Sequence, residues 1–312
     1  MKAIIINEFG SPAVLQLTDT PIPVPGENEV LVKAKAISIN PVDVKTRSGA
    51  GMAGRLKQMM PVILGWDISG TVAASNDIRF KVGDDVFGMV NFPGHGKAYA
   101  EYVTAPADHF TLKPSTISHE EAAAATLAAL TAWQVLVQHT TIRKGDRVLI
   151  HAAAGGVGHY AVQLAKHLGA YVVGTSSAAN RDFVKSLGAD EHIDYRSVKF
   201  EEATNNIDFV FDTIGGDNIA RSLTIIKPGG ALISIPTGIK PDIAALASSK
   251  NIDCRFELVY SSGKDMEQIA GLLEQGILKS HVSAVLDLNE MAKAHEMMET
   301  GRTVGKIVLA VR

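Results

Sequence analysis

A glycine-containing turn at residues 153–158 has the residue types and spacing needed to hold a phosphate-bearing ligand. Ala153, Gly155 and Gly158 follow the pattern G-x-G-x-x-G, with alanine in the first place. An apolar stretch that predicts a strand precedes the turn, and a helix-forming stretch follows it. Glycine lets a pyrophosphate approach the backbone, and the helix N-terminus supplies amide donors and a partial positive charge. The sequence therefore predicts a dinucleotide-binding βαβ unit, and an ordinary tight turn is the alternative. The residues expected around the pyrophosphate are Ala154, Gly155, Gly156, Val157 and Gly158.

The end of the next predicted strand indicates which dinucleotide is bound. An Asp or Glu about 20 residues after the last glycine selects NAD by binding the ribose 2′-hydroxyl. At that distance the chain has Ser176 and Ser177, followed by Arg181, and no acid. Serine hydroxyls and a guanidinium bind phosphate oxygens, which a carboxylate would repel. We therefore predict NADPH rather than NADH as the cofactor. The alternative for Arg181 is a solvated helix residue.

The elements that must position these residues alternate through the middle of the chain. Strand and helix patterns alternate from about residue 147 to residue 234, which predicts a parallel sheet with helices on both faces. Before residue 115 the sequence is rich in Gly, Pro and short alternating strands, which predicts an antiparallel or partly closed β unit. Beyond residue 260 the pattern predicts two amphipathic helices and a closing strand. The expected fold class is α/β, a doubly wound parallel sheet beside a mostly β unit.

Composition and charge exclude several classes of protein. A chain of 312 residues with 46% hydrophobic and 20% charged residues is typical of a globular protein with two domains. A net charge of −3 gives no reason to expect a nucleic-acid or anionic-membrane partner. The single cysteine, Cys254, excludes an intrachain disulfide and a cysteine-rich zinc site. No signal peptide or membrane-spanning stretch is evident, and we expect a cytoplasmic protein.

Several stretches resemble one protein family, in the family's order and over nearly the whole chain. Residues 152–170, AAAGGVGHYAVQLAKHLGA, are similar to the cofactor loop of the medium-chain dehydrogenase/reductase superfamily. Five further stretches resemble the zinc-independent quinone oxidoreductase branch of this superfamily, which includes the zeta-crystallin-like proteins. They are NPVDVKTRSG, LGWDISGTV, AYAEYV, LAALTAWQVL and VGKIVLAV. The resemblance implies a GroES-like catalytic domain formed by residues 1–122 and 260–312. It implies a Rossmann domain formed by residues 123–259.

The resemblance also extends the cofactor site and bears on the metal. It places Tyr195 with Arg181 beside the 2′-phosphate, and Ile214, Ile235 and Lys306 complete the predicted cofactor residues. Zinc-dependent relatives would have Cys at Asn40 and Gly-His-Glu at residues 65–67, where this chain has Gly-Trp-Asp. We therefore predict no metal site.

The absence of those metal ligands limits the expected chemistry. Zinc stabilises the alkoxide-like charge of simple ketone reduction, so the expected acceptors are quinones, enones and alkenals, which delocalise charge themselves. We expect the Asn40 side chain to donate a hydrogen bond to the developing oxyanion. The alternative is that this amide is structural and bonds the local backbone. Thr131 matches a family threonine beside the nicotinamide, or it is a helix hydroxyl bonded to a carbonyl. Asp43 lies in the same turn as Asn40, where it caps or orients the loop.

The predicted function is NADPH-dependent hydride transfer to a small conjugated carbonyl compound or a quinone. Two alternatives remain: an enoyl-thioester reductase and a non-catalytic NADPH-binding protein. The first would need a basic patch for coenzyme A, for which the candidates are Lys45, Arg47, Arg55 and Lys57. A strand at residues 253–259 could extend the Rossmann sheet across a two-fold axis, and so predicts a homodimer. Neither nucleic acid nor a membrane is an expected partner.

Overall fold

The structure, a computed structural model, describes residues 1–312 as two compact units. Unit 1 comprises Met1–Leu130 and Val259–Arg312, and unit 2 comprises Thr131–Leu258. The predicted domain limits, 1–122 with 260–312 and 123–259, stay a prediction. None of the helices combines the length and the apolar character needed to cross a lipid bilayer.

Sixteen strands provide the framework of the two units. They are β1 (Lys2–Ile6), β2 (Gln16–Asp19), β3 (Glu29–Ser38), β4 (Val62–Ile63), β5 (Asp67–Ser75), β6 (Asp85–Met89), β7 (Tyr102–Pro106), β8 (Phe110–Leu112), β9 (Arg147–Ile150), β10 (Tyr171–Ser176), β11 (Glu191–Asp194), β12 (Ile207–Asp212), β13 (Ile226–Ser234), β14 (Asp253–Phe256), β15 (Val282–Asp287) and β16 (Lys306–Ala310).

Eleven α-helices connect and cover these strands. They are α1 (Pro41–Arg47), α2 (Ala53–Leu56), α3 (His119–Ala124), α4 (Leu127–Trp133), α5 (Gly156–His167), α6 (Arg181–Ser186), α7 (Phe200–Ala203), α8 (Asp217–Ser222), α9 (Pro241–Ser249), α10 (Gly263–Glu274) and α11 (Met291–Glu299). A π-helical turn at Gln134–Gln138 continues α4.

The largest sheet of unit 1 brings three distant segments of the chain together. Its strand order is β15-β16-β3-β5-β6-β8, and β7 also pairs with β3. Antiparallel pairing places Ser38 of β3 opposite Asp67 of β5 and opposite Val308 of β16. The C-terminal end of β3 therefore lies beside the first residues of β5 and the middle of β16. Alternating apolar residues of these strands, such as Val32 and Ile37, are fully buried in the core of the unit.

Unit 2 is a doubly wound α/β fold, which confirms the predicted fold class. Its six strands run parallel in the order β11-β10-β9-β12-β13-β14. The order reverses between β9 and β12, and in open parallel sheets ligands bind beside this point at the carboxyl ends of the strands. The glycine turn follows β9 and leads into α5, so it lies at this edge of the sheet.

Candidate active site

The turn between β9 and α5 is held by close backbone contacts. Gly155 is the N-cap of α5, and no side chain caps the helix. A Cβ at Gly158 would lie 2.2 Å from the Ala152 carbonyl oxygen, so only glycine fits without backbone movement. Ala152 has a φ of 46°, and its N–H donates to Thr175 Oγ1 at 3.3 Å. The uncapped amides of the first helical turn are donors that suit a pyrophosphate.

A buried histidine directly after β9 stabilises this turn through side-chain hydrogen bonds. His151 Nδ1 lies 3.2 Å from Thr175 Oγ1, and its Nε2 lies 3.0 Å from Ser222 Oγ. Burial lowers the pKa of His151 to about 4, so the ring is neutral at physiological pH. Because Thr175 also accepts from the backbone of the turn, His151 helps to fix the turn. Its role is that of a satisfied strand-end histidine.

Asp212, at the end of β12, positions two of the predicted cofactor residues. Its Oδ1 accepts the N–H groups of Ile214 at 3.1 Å and of Gly215 at 3.0 Å. Ser234 donates to its other oxygen at 2.8 Å, and Ile235 N–H donates to its carbonyl oxygen at 3.1 Å. Sequence reasoning missed Asp212. A carboxylate at a strand end before a Gly-Gly pair was the available signal.

The ends of β10 and β11 bring together the residues predicted to bind the 2′-phosphate. Ser176 ends β10, and the Tyr195 N–H donates to its carbonyl oxygen at 3.3 Å. Ser177 follows directly, with its carbonyl 3.2 Å from Ser176 Oγ. Arg181 begins α6, is exposed and forms no ion pair. No carboxylate neutralises this guanidinium, which therefore remains available to an anion.

The sequence analysis missed two further residues near the predicted 2′-phosphate site, His192 and Arg196. His192 Nε2 lies 2.8 Å from Ser176 Oγ. The Arg196 guanidinium lies over the Tyr195 ring, 5.6 Å from its centroid. Arg196 directly follows a predicted site residue and could have been found from the sequence. The position of His192 depends on the register between β10 and β11.

A second polar cluster lies within unit 1, around the first predicted catalytic residue. The Asn40 N–H donates to Asp43 Oδ2 at 2.6 Å, which caps α1 as the sequence analysis expected. The Asn40 side chain donates through Nδ2 to Asp67 Oδ2 at 2.8 Å. Its Oδ1 accepts a hydrogen bond from the Lys306 ammonium. The Asn40 side chain therefore bonds two charged groups from distant strands and also takes part in the capping box of α1. Its role as an oxyanion donor or as a structural amide stays a prediction.

Lys306 belongs to this buried cluster. Its Nζ donates to the Ile39 carbonyl at 3.0 Å and lies 3.6 Å from Asp67 Oδ2. Lys306 is 2% exposed and Asp67 is fully buried. The predicted role of Lys306 in cofactor binding stays a prediction, and its ammonium is engaged by groups of unit 1.

Burial shifts the pKa of each ionisable group in this cluster. Burial and, to a smaller extent, the neighbouring Asp67 carboxylate raise the pKa of Asp43 to about 8, although the Asn40 N–H and Lys306 oppose the shift. Burial also raises the pKa of Asp67 and lowers that of Lys306, and the attraction between these two groups opposes both shifts. Two buried carboxyl groups therefore face one ammonium, and Asp43 retains its proton near neutral pH.

The structure places the third catalytic candidate in the other unit. Thr131 lies in α4, is 4% exposed and begins unit 2, whereas Asn40 and Asp43 lie in unit 1. No group of three or more His, Cys, Asp or Glu side chains could hold a metal ion.

One residue of the candidate basic patch is not on the surface. Arg47 is 2% exposed and pairs with Glu299 of α11. The interpretation of Arg47 as part of an exposed patch for coenzyme A is therefore wrong. Lys45, Arg55 and Lys57 alone remain as candidates for that patch.

Comparison with known proteins places the chain in a family. The family model described as alcohol dehydrogenase GroES-like domain matches residues 26–115, and the one described as zinc-binding dehydrogenase matches residues 187–309. A quinone oxidoreductase structure from Coxiella burnetii is 39% identical, with a TM-score of 0.95, covering 100% of this chain and 99% of that one. The chain belongs to the quinone oxidoreductase branch of the medium-chain dehydrogenase/reductase superfamily.

Other members of the quinone oxidoreductase branch agree over the full length of the chain. The 2-methylene-furan-3-one reductase of Solanum lycopersicum is 32% identical, and the match covers 99% of this chain and 79% of the relative. An Escherichia coli quinone oxidoreductase structure complexed with NADPH is 28% identical, with a TM-score of 0.88, and covers 99% and 100% of the two chains. The resemblance seen in the sequence is thus confirmed. So is its expectation of a GroES-like domain and a Rossmann domain.

Proposed function

We propose that the protein is a zinc-independent oxidoreductase that uses NADPH to reduce quinones or α,β-unsaturated carbonyl compounds. The observation that carries the proposal is the engagement of Asn40 by Asp67 and Lys306. At the positions where zinc-dependent relatives would have Cys and Gly-His-Glu, this chain has Asn40 and Gly-Trp-Asp, and the buried Lys306 ammonium contacts both Asn40 and Asp67. When bound, NADPH supplies a hydride.

The side chains of this cluster suit acceptors that delocalise the negative charge formed when they are reduced. Asn40 Nδ2 has two hydrogens, of which one is directed to Asp67. The second hydrogen is the oxyanion donor that we assign to it. Asp43, whose pKa is raised to about 8 by burial, is the nearby group that holds a proton near neutral pH. Phenolate and enolate oxygens need only such donors, whereas an alkoxide calls for a Lewis acid.

The preference for NADPH is supported by the ends of β10 and β11. Ser176 and Ser177 supply hydroxyls, and the unpaired Arg181 supplies a guanidinium. A phosphate dianion is stabilised by such donors, and the ribose hydroxyl of NADH gains little from them. The Escherichia coli relative described above was solved with NADPH.

Replacing Arg181 with alanine should weaken NADPH binding by about 10- to 100-fold, the size of a lost charge-assisted hydrogen bond of about 1.5–3 kcal/mol. The affinity for NADH should stay within about twofold, since NADH has no phosphate at this position. Fluorescence titration of both cofactors measures the two dissociation constants. Arg143→Ala is the matched control, because Arg143 is also an exposed arginine of unit 2 without an ion pair. Equal losses for NADPH and NADH would contradict the assignment.

The activity is tested by following NADPH absorbance with the protein before and after chelator treatment, using four acceptors. These are a benzoquinone, a short enone, an enoyl-coenzyme A and a simple ketone. We expect NADPH consumption with the quinone and the enone and none with the ketone. Ketone reduction that the chelator abolishes would show that a metal is needed. Preferred reduction of the enoyl thioester would favour the first alternative, and tight NADPH binding without turnover would favour a binding protein.

We also propose a cytoplasmic homodimer. β14 is the outermost strand of the parallel sheet, so its outer edge has no partner strand within the chain. Pairing of this edge with the same strand of a second copy would continue the sheet across a two-fold axis. The exposed Phe256 and Tyr260 lie at or just after this strand and would be covered.

A further inference from the structure

His192 contacts Ser176, one of the residues to which we assign binding of the 2′-phosphate. No sequence pattern indicated a role for His192. Its Nε2 lies 2.8 Å from Ser176 Oγ, while the same hydroxyl lies 3.2 Å from the Ser177 carbonyl oxygen. Ser176 is 4% exposed, and these two atoms are the partners of its hydroxyl in the structure. The state of the His192 ring decides what this hydroxyl can do.

A hydroxyl carries one hydrogen and can accept as well as donate. If His192 Nε2 lacks a proton, it accepts the Ser176 hydrogen and removes it from any ligand. If Nε2 carries a proton, it donates to Oγ, and the Ser176 hydrogen is directed to the Ser177 carbonyl oxygen or to a ligand. A doubly protonated ring always donates at Nε2. Protonation of His192 therefore releases the Ser176 hydrogen from the ring, and an incoming anion can then accept it in place of the Ser177 carbonyl oxygen.

The surroundings of His192 are cationic on one side and acidic on the other. A cavity of about 600 Å³ borders the ring and is lined from α6 by Arg181 and Lys185. The acidic side chains that line it come from β11 and its two ends: Asp190, Glu191 and Asp194. Ser176 is the side chain of β10 that contacts the ring. Asp190 pairs with Lys166 and Glu191 with Arg147, whereas the Asp194 carboxylate accepts the Arg196 N–H and pairs with no cation. Lys185 donates to the Asp190 carbonyl oxygen, so the Arg181 guanidinium and the Lys185 ammonium are both without an ion pair here.

We propose that His192 is a positioning residue for binding of the cofactor 2′-phosphate. It directs the Ser176 hydroxyl towards the phosphate, and it takes up a proton when the phosphate binds. The proposal rests on the proposed use of NADPH and adds a residue and a proton to it. Arg181 contacts the phosphate, and His192 acts through Ser176.

The direction of the pH dependence follows from the charges. Burial lowers the pKa of His192 below its usual 6.5, with Arg181 and Lys185 lowering it as well and Asp194 opposing them. A bound phosphate dianion favours the imidazolium, so it raises this pKa. Affinity for the phosphate is then strongest below the pKa of the free protein and is lost as the pH rises through the pKa of the complex. A rise of one pKa unit corresponds to about a tenfold change in affinity.

The test compares wild type with His192→Gln, because the glutamine amide can keep a hydrogen bond to Ser176 but does not titrate. Dissociation constants of adenosine 2′-phosphate and NADPH are measured between pH 5.5 and 8.5, with adenosine and NADH as the ligands without the phosphate. The phosphate itself titrates near pH 6, and this contribution is common to both proteins. His167→Gln is the control, since His167 is an exposed histidine of α5 in the same unit.

We expect the ratio of the variant and wild-type dissociation constants for adenosine 2′-phosphate to fall about three- to tenfold from pH 6 to pH 8.5. The ratio for adenosine should not change. Calorimetry in two buffers of different ionisation enthalpy should show proton uptake by the wild type that the variant lacks. In NMR spectra, the His192 ring signal should titrate at a higher pH when adenosine 2′-phosphate is bound, which tests the wild type even if the variant does not fold.

Two other results would overturn the proposal and are distinguishable. If NADPH binds more tightly than NADH, but wild type and variant share one pH profile, the proposed cofactor stands and the role of His192 is wrong. If adenosine 2′-phosphate and adenosine bind equally at every pH, the preference for NADPH fails, and the role of His192 fails with it.

Discussion

Replacing Lys306 with methionine should destabilise the protein by about 3–5 kcal/mol, the cost of leaving a buried charge without its partner. Asp67 and Lys306 are both almost completely buried, and the ammonium is the only cation beside that carboxyl group. In the variant Asp67 must either remain charged in an apolar core or take up a proton. Because its pKa would rise further, the stability of the variant should fall as the pH increases. Urea unfolding at several pH values measures this loss.

Two further variants separate charge from packing in this experiment. Asp67→Asn in the Lys306→Met background removes the unpaired charge and should restore most of the lost stability. Lys293→Met removes the lysine of an exposed ion pair with Glu290, whose side chains are 58% and 37% exposed, and should cost less than about 1 kcal/mol. A loss from Lys306→Met no larger than that of Lys293→Met would show that the buried pair does not stabilise the fold.

Gly158→Ala should weaken NADPH and NADH equally, by about tenfold or more. The added Cβ would meet the Ala152 carbonyl oxygen at 2.2 Å and the Ala153 Cα at 2.9 Å. Both contacts are backbone atoms, so α5 must move away from the turn, and overpacking of this kind costs about 1–3 kcal/mol. The displaced helix N-terminus would then no longer direct its amides at the pyrophosphate, which both cofactors share.

The equal loss distinguishes this variant from Arg181→Ala, which should affect NADPH alone. Titration of both cofactors and thermal unfolding are the measurements. Gly271→Ala is the control, since Gly271 lies within α10 and no atom lies within 4 Å of its added Cβ. That substitution should leave binding unchanged and slightly raise stability. Unchanged cofactor binding by Gly158→Ala would contradict the assignment of the turn.

Local sequence patterns predicted most of the fold because they determine local structure. The alternation of strands and helices predicted the parallel sheet of unit 2, and β10 ends at Ser176 as expected. Ser118 and Glu121, three positions apart in the sequence, form a capping box at the start of α3. Each of these features depends on residues within one turn or one βαβ unit, so a single sequence contains the information.

The parts that could not be predicted depend on contacts between distant segments. Lys306 lies 266 positions from Asn40, and only the pairing of β16 with β3 brings them together. A lysine in an apolar closing strand gives no hint of an acidic partner. Arg47 resembles a surface residue until α11 places Glu299 beside it. His192 contacts Ser176 because the parallel register of β10 and β11 directs both side chains to one face.

The place of β16 in the large sheet determines when unit 1 can be completed during synthesis. Unit 2 is one continuous segment that emerges from the ribosome whole, but unit 1 needs β15 and β16 from the last part of the chain. Until residues 306–310 have been synthesised, one neighbour of β3 is missing and Asp67 has no ammonium beside it. The nascent N-terminal strands therefore expose an open edge, of the kind that chaperones protect. The addition of β16 completes the pairing of β3 and places the Lys306 ammonium beside Asp67 in the same step.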